Sequence, residues 1–567
     1  MALQAQSIER VVVGESSDAD KLNPYTNFSA TGSYINEYLY SSLLRTDKGS
    51  GHYLPMLATD LPEISEDQLT FTYAIHPLAR FNNGDKITAE DVAFSLKAVR
   101  NPWVNNSQKR VHYEAITQVQ VIDENTVRFH VARPSSQALR ITSDFAILSR
   151  AYFDPSNTLS SITLADLSHG TKVPSQKAQV LRAVAERLNV FGTSGTSWEA
   201  APTCGTYVLT EWTRGVSINL EANKHFWGRK LDAPLNIYFA QNVAQIEFQI
   251  ETNEQQLRRG IFEGRYDLVA SMPPSLYSNL IHIPALVEKY KFVAPNGPSY
   301  EYVGLNMKAG SRGRNRGMED LAVRQALSQL VHVDLLMVLH AYGLGSRMAS
   351  DFPAQHPGYQ NTDLPLIEFD PDAANSALDK AGWLDSDGNG LRDRVVDGEE
   401  VQLVLECIYN DNSNLRKAIA EHIAENAMKA GILVVPVPLP WKEYMARLNK
   451  GDFEISLGAW VADPNEDSYR QIWHSKSWGS GSNFVGFGDE ETDHQIELYD
   501  ETIDPNLHKA MSLEIQQKIY SQQPYIFLWR NDLCTMVSKR YEKMPIFSFR
   551  PGFWIPAWGL GTETFQN

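Results

Sequence analysis

The chain has 567 residues, 43% of them hydrophobic and 21% charged, and a net charge of −17. It is too long for one core, and lobes of roughly 100–200 residues make three a fair expectation. The acidic balance excludes nucleic-acid recognition, which needs basic patches, and offers no polybasic handle for anionic lipid.

From the N-terminus, Arg10-Val11-Val12-Val13-Gly14 reads as a short strand, followed by a turn at Leu22-Asn23-Pro24-Tyr25. Apolar residues at Tyr34, Ile35, Tyr38, Leu39, Leu43 and Leu44 have helical spacing. Residues 69–75 alternate as a strand does, and Phe81-Asn82-Asn83-Gly84-Asp85 is a turn cluster. Thr88 is placed to cap a helix with Glu90 and Asp91 in its first turn, running to a stop before Pro102. Residues 119–131 read as two strands joined at Asp123-Glu124-Asn125, 177–188 as a helix and 192–195 as a loop. Strands return at 207–212 and 216–221. Helix and strand patterns then alternate through 246–250, 254–262, 321–339, 372–381, 401–408, 414–430, 441–449 and 507–522. The class is mixed α/β without a fixed-period repeat.

The most informative stretch comes late. An apolar run over 453–457 reads as a strand, and Ala459-Trp460-Val461-Ala462-Asp463-Pro464-Asn465 follows it. One aromatic plate and one acid thus stand three residues apart at a strand's end, where α/β sheets gather ligands. The pair suits a ligand with a positive group and an apolar body. The competing role for Asp463 is a cap for a helix from Ser468 onward, or a partner for a nearby arginine.

Other chemistry is sparse. Cys204, Cys407 and Cys534 have no metal-site spacing and read as small buried hydrophobes. No Gly-x-Ser-x-Gly, P-loop, dinucleotide glycines or paired histidine ligands are present, so no cofactor, metal or catalytic centre is expected. Asp385-Ser386-Asp387-Gly388-Asn389-Gly390-Leu391-Arg392-Asp393 has a calcium loop's spacing, but position 12 is Val396, not a glutamate. No stretch approaches the ~18 unbroken apolar residues of a membrane span. The opening Met1-Ala2-Leu3-Gln4-Ala5-Gln6 lacks the basic flank and apolar core of a signal peptide. Either a cytosolic protein or one whose leader has been removed fits.

Six stretches, taken together, resemble the extracytoplasmic solute-binding proteins of the peptide/nickel family, which serve ABC importers. Leu22-Asn23-Pro24 is similar to that family's Leu-Asp-Pro, and Leu57-Ala58-Thr59-Asp60-Leu61 to its Leu-Ala-Glu-Ser-Trp. Residues 81–92 are similar to its Phe-x-Asp-Gly-x-Pro-Val-Thr-Ala-x-Asp-Val, and Asn223-Lys224-His225-Phe226-Trp227-Gly228 to its Asn-Pro-x-Tyr-Trp-Gly. Tyr302 to Asn306 with Leu321 to Leu327 resembles its strand and Val-Arg-x-Ala helix, and Trp460 with Asp463 its Trp-x-Ala-Asp. Two departures stand out: Pro464 replaces a common aromatic, and Cys204-Gly205-Thr206-Tyr207 lacks the family's second glycine and proline.

The resemblance implies a two-lobed periplasmic-binding-protein fold of the class II type. It places the first lobe at 1–46, 205–298 and 530–567, an additional smaller domain at 47–204 and the second lobe at 299–529. It further implies a monomeric, non-enzymatic protein on the periplasmic or extracellular face of the membrane, with a possible lipid anchor. Such a protein captures a solute in an interlobe cleft by hinge closure and hands it to a transmembrane permease. A peptide leads as cargo; an oligosaccharide or other organic solute, or sensing without transport, is the alternative. By the same resemblance Asp463 would anchor a ligand ammonium, with Trp460 and Trp441 as pocket walls. Phe28, Ser29, Ala30 and Thr31 would form a ligand-touching loop. Arg416, in the segment opened by Tyr409 and Asn410, falls near a carboxylate-binding position, although Leu457 stands where some relatives carry arginine. Asn483 and Phe484 would face the cleft. For each of these, core packing, capping or a solvated surface is the competing role.

Overall fold

A computed structural model describes residues 8–168, 173–193, 201–231, 236–352, 357–461, 468–479, 481–549 and 551–559. The chain divides into two compact units, residues 1–295 with 533–567, and 296–532.

The first unit is built on a seven-stranded sheet in the order Tyr290–Val293, Thr535–Ser538, Leu268–Val269, Ile8–Glu15, Val243–Ile250, Ser217–Ala222, Tyr207–Thr213. Ile8–Glu15 is central and pairs in parallel with both neighbours. Its run of Val11, Val12 and Val13 is buried, as a strand covered on both faces requires. A four-stranded sheet, Glu63–Ile64, Thr70–Ala74, Thr126–Val131 and Ile116–Val121, lies in the same unit. Beside it runs the helix Ala89–Arg100 expected from Thr88. There the Asp91 carboxylate accepts both the amide of Thr88 at 2.9 Å and its hydroxyl at 2.8 Å. One continuous apolar core joins Val11, Phe129, Leu188 and Trp554. The helix expected over 34–44 is instead Ala30–Leu39. Ser29 caps it four residues earlier, and Tyr40 turns the chain out so that Leu44–Thr46 becomes a strand.

The second unit has a six-stranded sheet in the order Ser346–Arg347, Tyr525–Asp532, Asn296–Leu305, Ile455–Val461, Val404–Asn410, Leu433–Leu439. Separate apolar cores cover its faces, one around Trp383, Leu405 and Trp529, the other around Tyr302, Trp473 and Tyr525. The helical pattern over 321–339 folds as two helices, Leu321–Gln329 and Val333–His340, bent by 48°. His332 causes the restart: its Nδ1 accepts the N–H of Leu335 at 3.2 Å, a side-chain cap that sequence periodicity does not register. Among the described residues no single helix is long and apolar enough to cross a membrane.

Candidate functional site

In the second unit, Val404–Asn410, Leu433–Leu439 and Ile455–Val461 are parallel, so their carboxyl ends share one sheet edge. Asn296–Leu305 opposes Ile455–Val461, and Tyr525–Asp532 opposes Asn296–Leu305. The beginning of the former and the end of the latter therefore reach the same edge. Five strands thus bring together Asn410, Trp441, Trp460, Glu301 and Arg530, and both chain crossings, 295/296 and 532/533, leave from here. Such edges collect ligands because loops and helix starts there lie outside the packed layers.

Trp460 lies inside its strand, which runs on to Val461, rather than after it. Its half-buried ring is parallel to Tyr302, with centroids 6.0 Å apart, and to Phe484, also at 6.0 Å. Tyr302 stacks in turn on Tyr525 at 4.1 Å. The Trp460 Nε1–H donates to the Tyr525 hydroxyl at 3.3 Å, which fixes the indole's rotation. Gly458 makes this column possible. It pairs with Tyr302 across the strands, and a Cβ there would collide with the tyrosine ring.

Arg416 sits in the first turn of the helix Asn414–Lys429, capped by Ser413. Its guanidinium donates to the Asn410 side-chain oxygen, and the Asn410 amide donates to Asn412. Glu301, which sequence reasoning missed, is half-buried near them and accepts a 3.4 Å bond from Asn531. Burial raises its carboxyl above the usual range, with the charge of Arg416 opposing. Tyr409 is a core side chain, 4% exposed, whereas Trp441 is 57% exposed at the start of the helix Trp441–Lys450.

Phe484 joins the aromatic column, but Asn483, expected to face a ligand, has its side chain filled by its own loop. It is fully buried, donates to the carbonyls of His474 and Phe487 at 3.1 and 2.8 Å, and accepts the N–H groups of Gly486 and Phe487. That leaves no hydrogen-bonding position for a ligand. Asp463 lies outside the described residues.

In the first unit, Phe28, Ser29, Ala30 and Thr31 follow the carboxyl end of Ile8–Glu15. Ser29 caps the helix Ala30–Leu39 by accepting from Gly32, and its hydroxyl donates to Asp20 at 2.6 Å. Asp20 also accepts the N–H groups of Phe28 and Ser29. Burial pushes the Asp20 carboxyl up, but these bonds outweigh it and hold the pKa below the usual value. Thr31 is buried and donates to the Ser17 carbonyl, while Phe28 is 65% exposed. Lys109 props the loop from another element, donating to the Pro24 carbonyl at 2.8 Å and to Asn27 at 2.9 Å. Burial pulls its ammonium down to about 8. Nothing in the local pattern around Lys109 signals that contact, which spans more than 80 residues.

The loop with calcium-like spacing brings oxygens of Asp385, Asp387 and Asp393 within 4.8 Å of one another. Those acids also accept bonds from their own loop: Asp393 from Ser386, Asp387 from Asn389, and Asp385 from the N–H of Gly390. Val396 ends the strand Asp393–Val396 and supplies no carboxylate.

Two α/β units joined by two chain crossings, with polar and aromatic side chains gathered at sheet edges, define a two-lobed solute-binding protein. The chain belongs to the bacterial extracellular solute-binding proteins, family 5: the profile of that family's middle region matches residues 52–482. It is similar to Protein XP55 of Streptomyces lividans, 25% identical over 546 residues, covering 95% of this chain and 86% of the relative. It is also similar to the oligopeptide-binding protein AppA of Bacillus subtilis (strain 168), 24% identical over 531 residues, covering 92% of this chain and 86% of the relative. In fold it is similar to the solved structure of HbpA2 from Haemophilus parasuis, with a TM-score of 0.75, 18% identity, and coverage of 98% and 100%. The family resemblance carried by the six motifs is thereby borne out, as is the α/β two-lobed class.

Proposed function

We propose that this protein binds a peptide and delivers it to the permease of an ABC importer. The observation that carries the reading is the Trp460 edge of the second unit, where a held indole, a half-buried carboxylate and two arginines lie at the carboxyl ends of four strands and the amino end of Asn296–Leu305. Aromatic plates accept varied side chains, and backbone-directed polar groups fix register, which together suit peptides. A relative named for oligopeptide binding supports this cargo class.

Asp463 is proposed as the anchor for the peptide's ammonium, three residues beyond Trp460. In this reading Phe28 to Thr31 form the first unit's contact loop and residues 47–204 an added domain. The protein works as a monomer outside the cytoplasm, held at the membrane face by a lipid anchor, and releases its cargo chemically unchanged.

Calorimetry against pooled short peptides and oligosaccharides tests the cargo. Micromolar or tighter binding of peptides alone is expected; binding of sugars alone replaces the reading. Asp463→Ala is expected to weaken peptides about 10-fold or more, and less for peptides with an acetylated N-terminus. Mass spectrometry of the peptide after prolonged incubation is expected to find it intact.

A further inference from the structure

We propose that Arg530 receives a carboxylate of the cargo at the carboxyl edge of the second unit's sheet. This rests on the peptide reading above and adds a specificity residue to it.

The backbone puts Arg530 there through a slip in pairing. Tyr302 pairs with Phe527, but Tyr300 pairs with Arg530, so the strand Tyr525–Asp532 carries one extra residue between them. Leu528 and Trp529 consequently both pack into the core on one face, and Arg530 returns to the face of Tyr300 and Phe527. Bulges of this kind re-aim side chains beside binding sites. Tyr300 also pairs with Trp460. Trp460, Tyr300 and Arg530 therefore form one cross-strand row, in which the backbones of Trp460 and Arg530 are two strand spacings, about 10 Å, apart. Tyr300 is buried between them, and both ends of the row are half-buried.

The guanidinium of Arg530 lies over the Phe352 ring, 4.3 Å from its centroid. Among the described residues it donates no hydrogen bond and closes no ion pair. Other covered arginines of this unit are matched. Arg314 reaches Glu406 and Glu454, Arg347 reaches Asp334 and Glu368, and Arg324 donates to the carbonyls of Met318 and Gln522. The opposite charge that acts on it is Asp351, whose Oδ2 accepts the Trp473 Nε1–H at 2.9 Å. Burial lowers the pKa of Arg530, and Asp351 and Tyr300 only oppose that loss.

A partly desolvated guanidinium with unfilled donors is costly unless an acceptor arrives. Its planar fork matches a carboxylate with two parallel N–H···O bonds, and the Phe352 ring holds that plane. A peptide carries a carboxylate either at its C-terminus or on an acidic side chain, and the same chemistry serves both.

The test is calorimetry on the full chain with one short binding peptide in four forms: free or amidated at the C-terminus, each with or without a single internal glutamate. The wild type is expected to bind carboxylate-bearing forms about 10-fold or more tighter than the form without one. Loss on amidation identifies the C-terminal group; rescue by the internal glutamate identifies the side chain. Arg530→Gln is expected to lose the preference, while Arg530→Lys, which keeps charge without the fork, retains part of it. Equal affinity of the wild type for all four forms, or a preference that survives in Arg530→Gln, overturns the assignment and leaves the peptide reading standing. Failure of every form to bind overturns both. Where the glutamine variant does not fold, the lysine variant decides: a preference undiminished in Arg530→Lys overturns the assignment.

Discussion

Trp460 lies parallel to Tyr302, with ring centroids 6.0 Å apart and planes 8° apart. The indole is held by this stack, by the parallel ring of Phe484 and by its bond to Tyr525, so it is a rigid wall rather than a mobile side chain. Rigid aromatic walls contribute affinity without a large ordering cost.

Removing that plate is expected to reduce affinity more than stability. Trp460→Ala should weaken peptide binding about 10- to 100-fold, the range for a buried aromatic anchor. Trp460→Phe should retain most of it. Calorimetry gives the Kd values and a thermal melt the stability; an unchanged Kd in the alanine variant removes Trp460 from the site.

Asn483 should matter for folding instead. Its four buried hydrogen bonds tie residues 474–487 together. Asn483→Ala is expected to cost about 2–4 kcal/mol, since it leaves buried backbone groups unpaired. Asn483→Asp should do no better, because a carboxylate cannot donate to the two carbonyls. Urea unfolding followed by tryptophan fluorescence reads the loss, and wild-type stability in both variants contradicts the staple.

The thiols should be silent in the native state. Cys204, Cys407 and Cys534 are buried, and burial raises the Cys204 pKa to about 12. At pH 8 that thiol is therefore almost wholly protonated and unreactive. A disulfide-exchange reagent should find no thiol in the folded protein and all three after denaturation. Fast labelling of Cys204 under native conditions contradicts its placement.

One acid-dependent contribution has a defined window. Asp166 accepts two 2.7 Å bonds from the Lys177 ammonium, and this contact, ahead of the Thr163 bonds, lowers its pKa from 3.8 to about 2. The folded value is the depressed one, so the stabilisation is present above pH 3.8 and fades as pH falls through 2. The pair is open to solvent, so its worth is under about 1 kcal/mol. The stability gap between wild type and Asp166→Asn should be measurable at pH 5 and close towards pH 2; a gap that widens on acidification contradicts the pairing.

Much of the local architecture was legible in the residues themselves. The capped helix after Thr88, the hairpin around Asp123 to Asn125 and the helix Ser175–Val190 follow from short-range periodicity and turn chemistry. Errors fell where a side chain or a turn interrupts a periodic run. His332 splits an apolar stretch into two helices, and Tyr40 ends a helix that Leu43 and Leu44 appeared to continue.

The candidate site was legible only in part. Trp460 stood out because Trp-x-Ala-Asp is a compact motif, and Gly458 two residues earlier is the one local hint that a ring lies against the strand. Glu301, Lys109 and Arg530 carry no such signal. Their roles depend on partners 80 or more residues away, Pro24 for Lys109, and Arg416 and Asn531 for Glu301.

The sequence by itself determined that this is an α/β solute-binding protein of family 5, because helix caps, strand alternation and family motifs are local and survive reading one segment at a time. Only the tertiary structure decided which side chains share the working edge. That depends on strand order, on parallel or antiparallel pairing and on one extra residue at Leu528 and Trp529. A slip of one residue moves a side chain to the opposite face, and nothing within the strand's own sequence records which partner it meets.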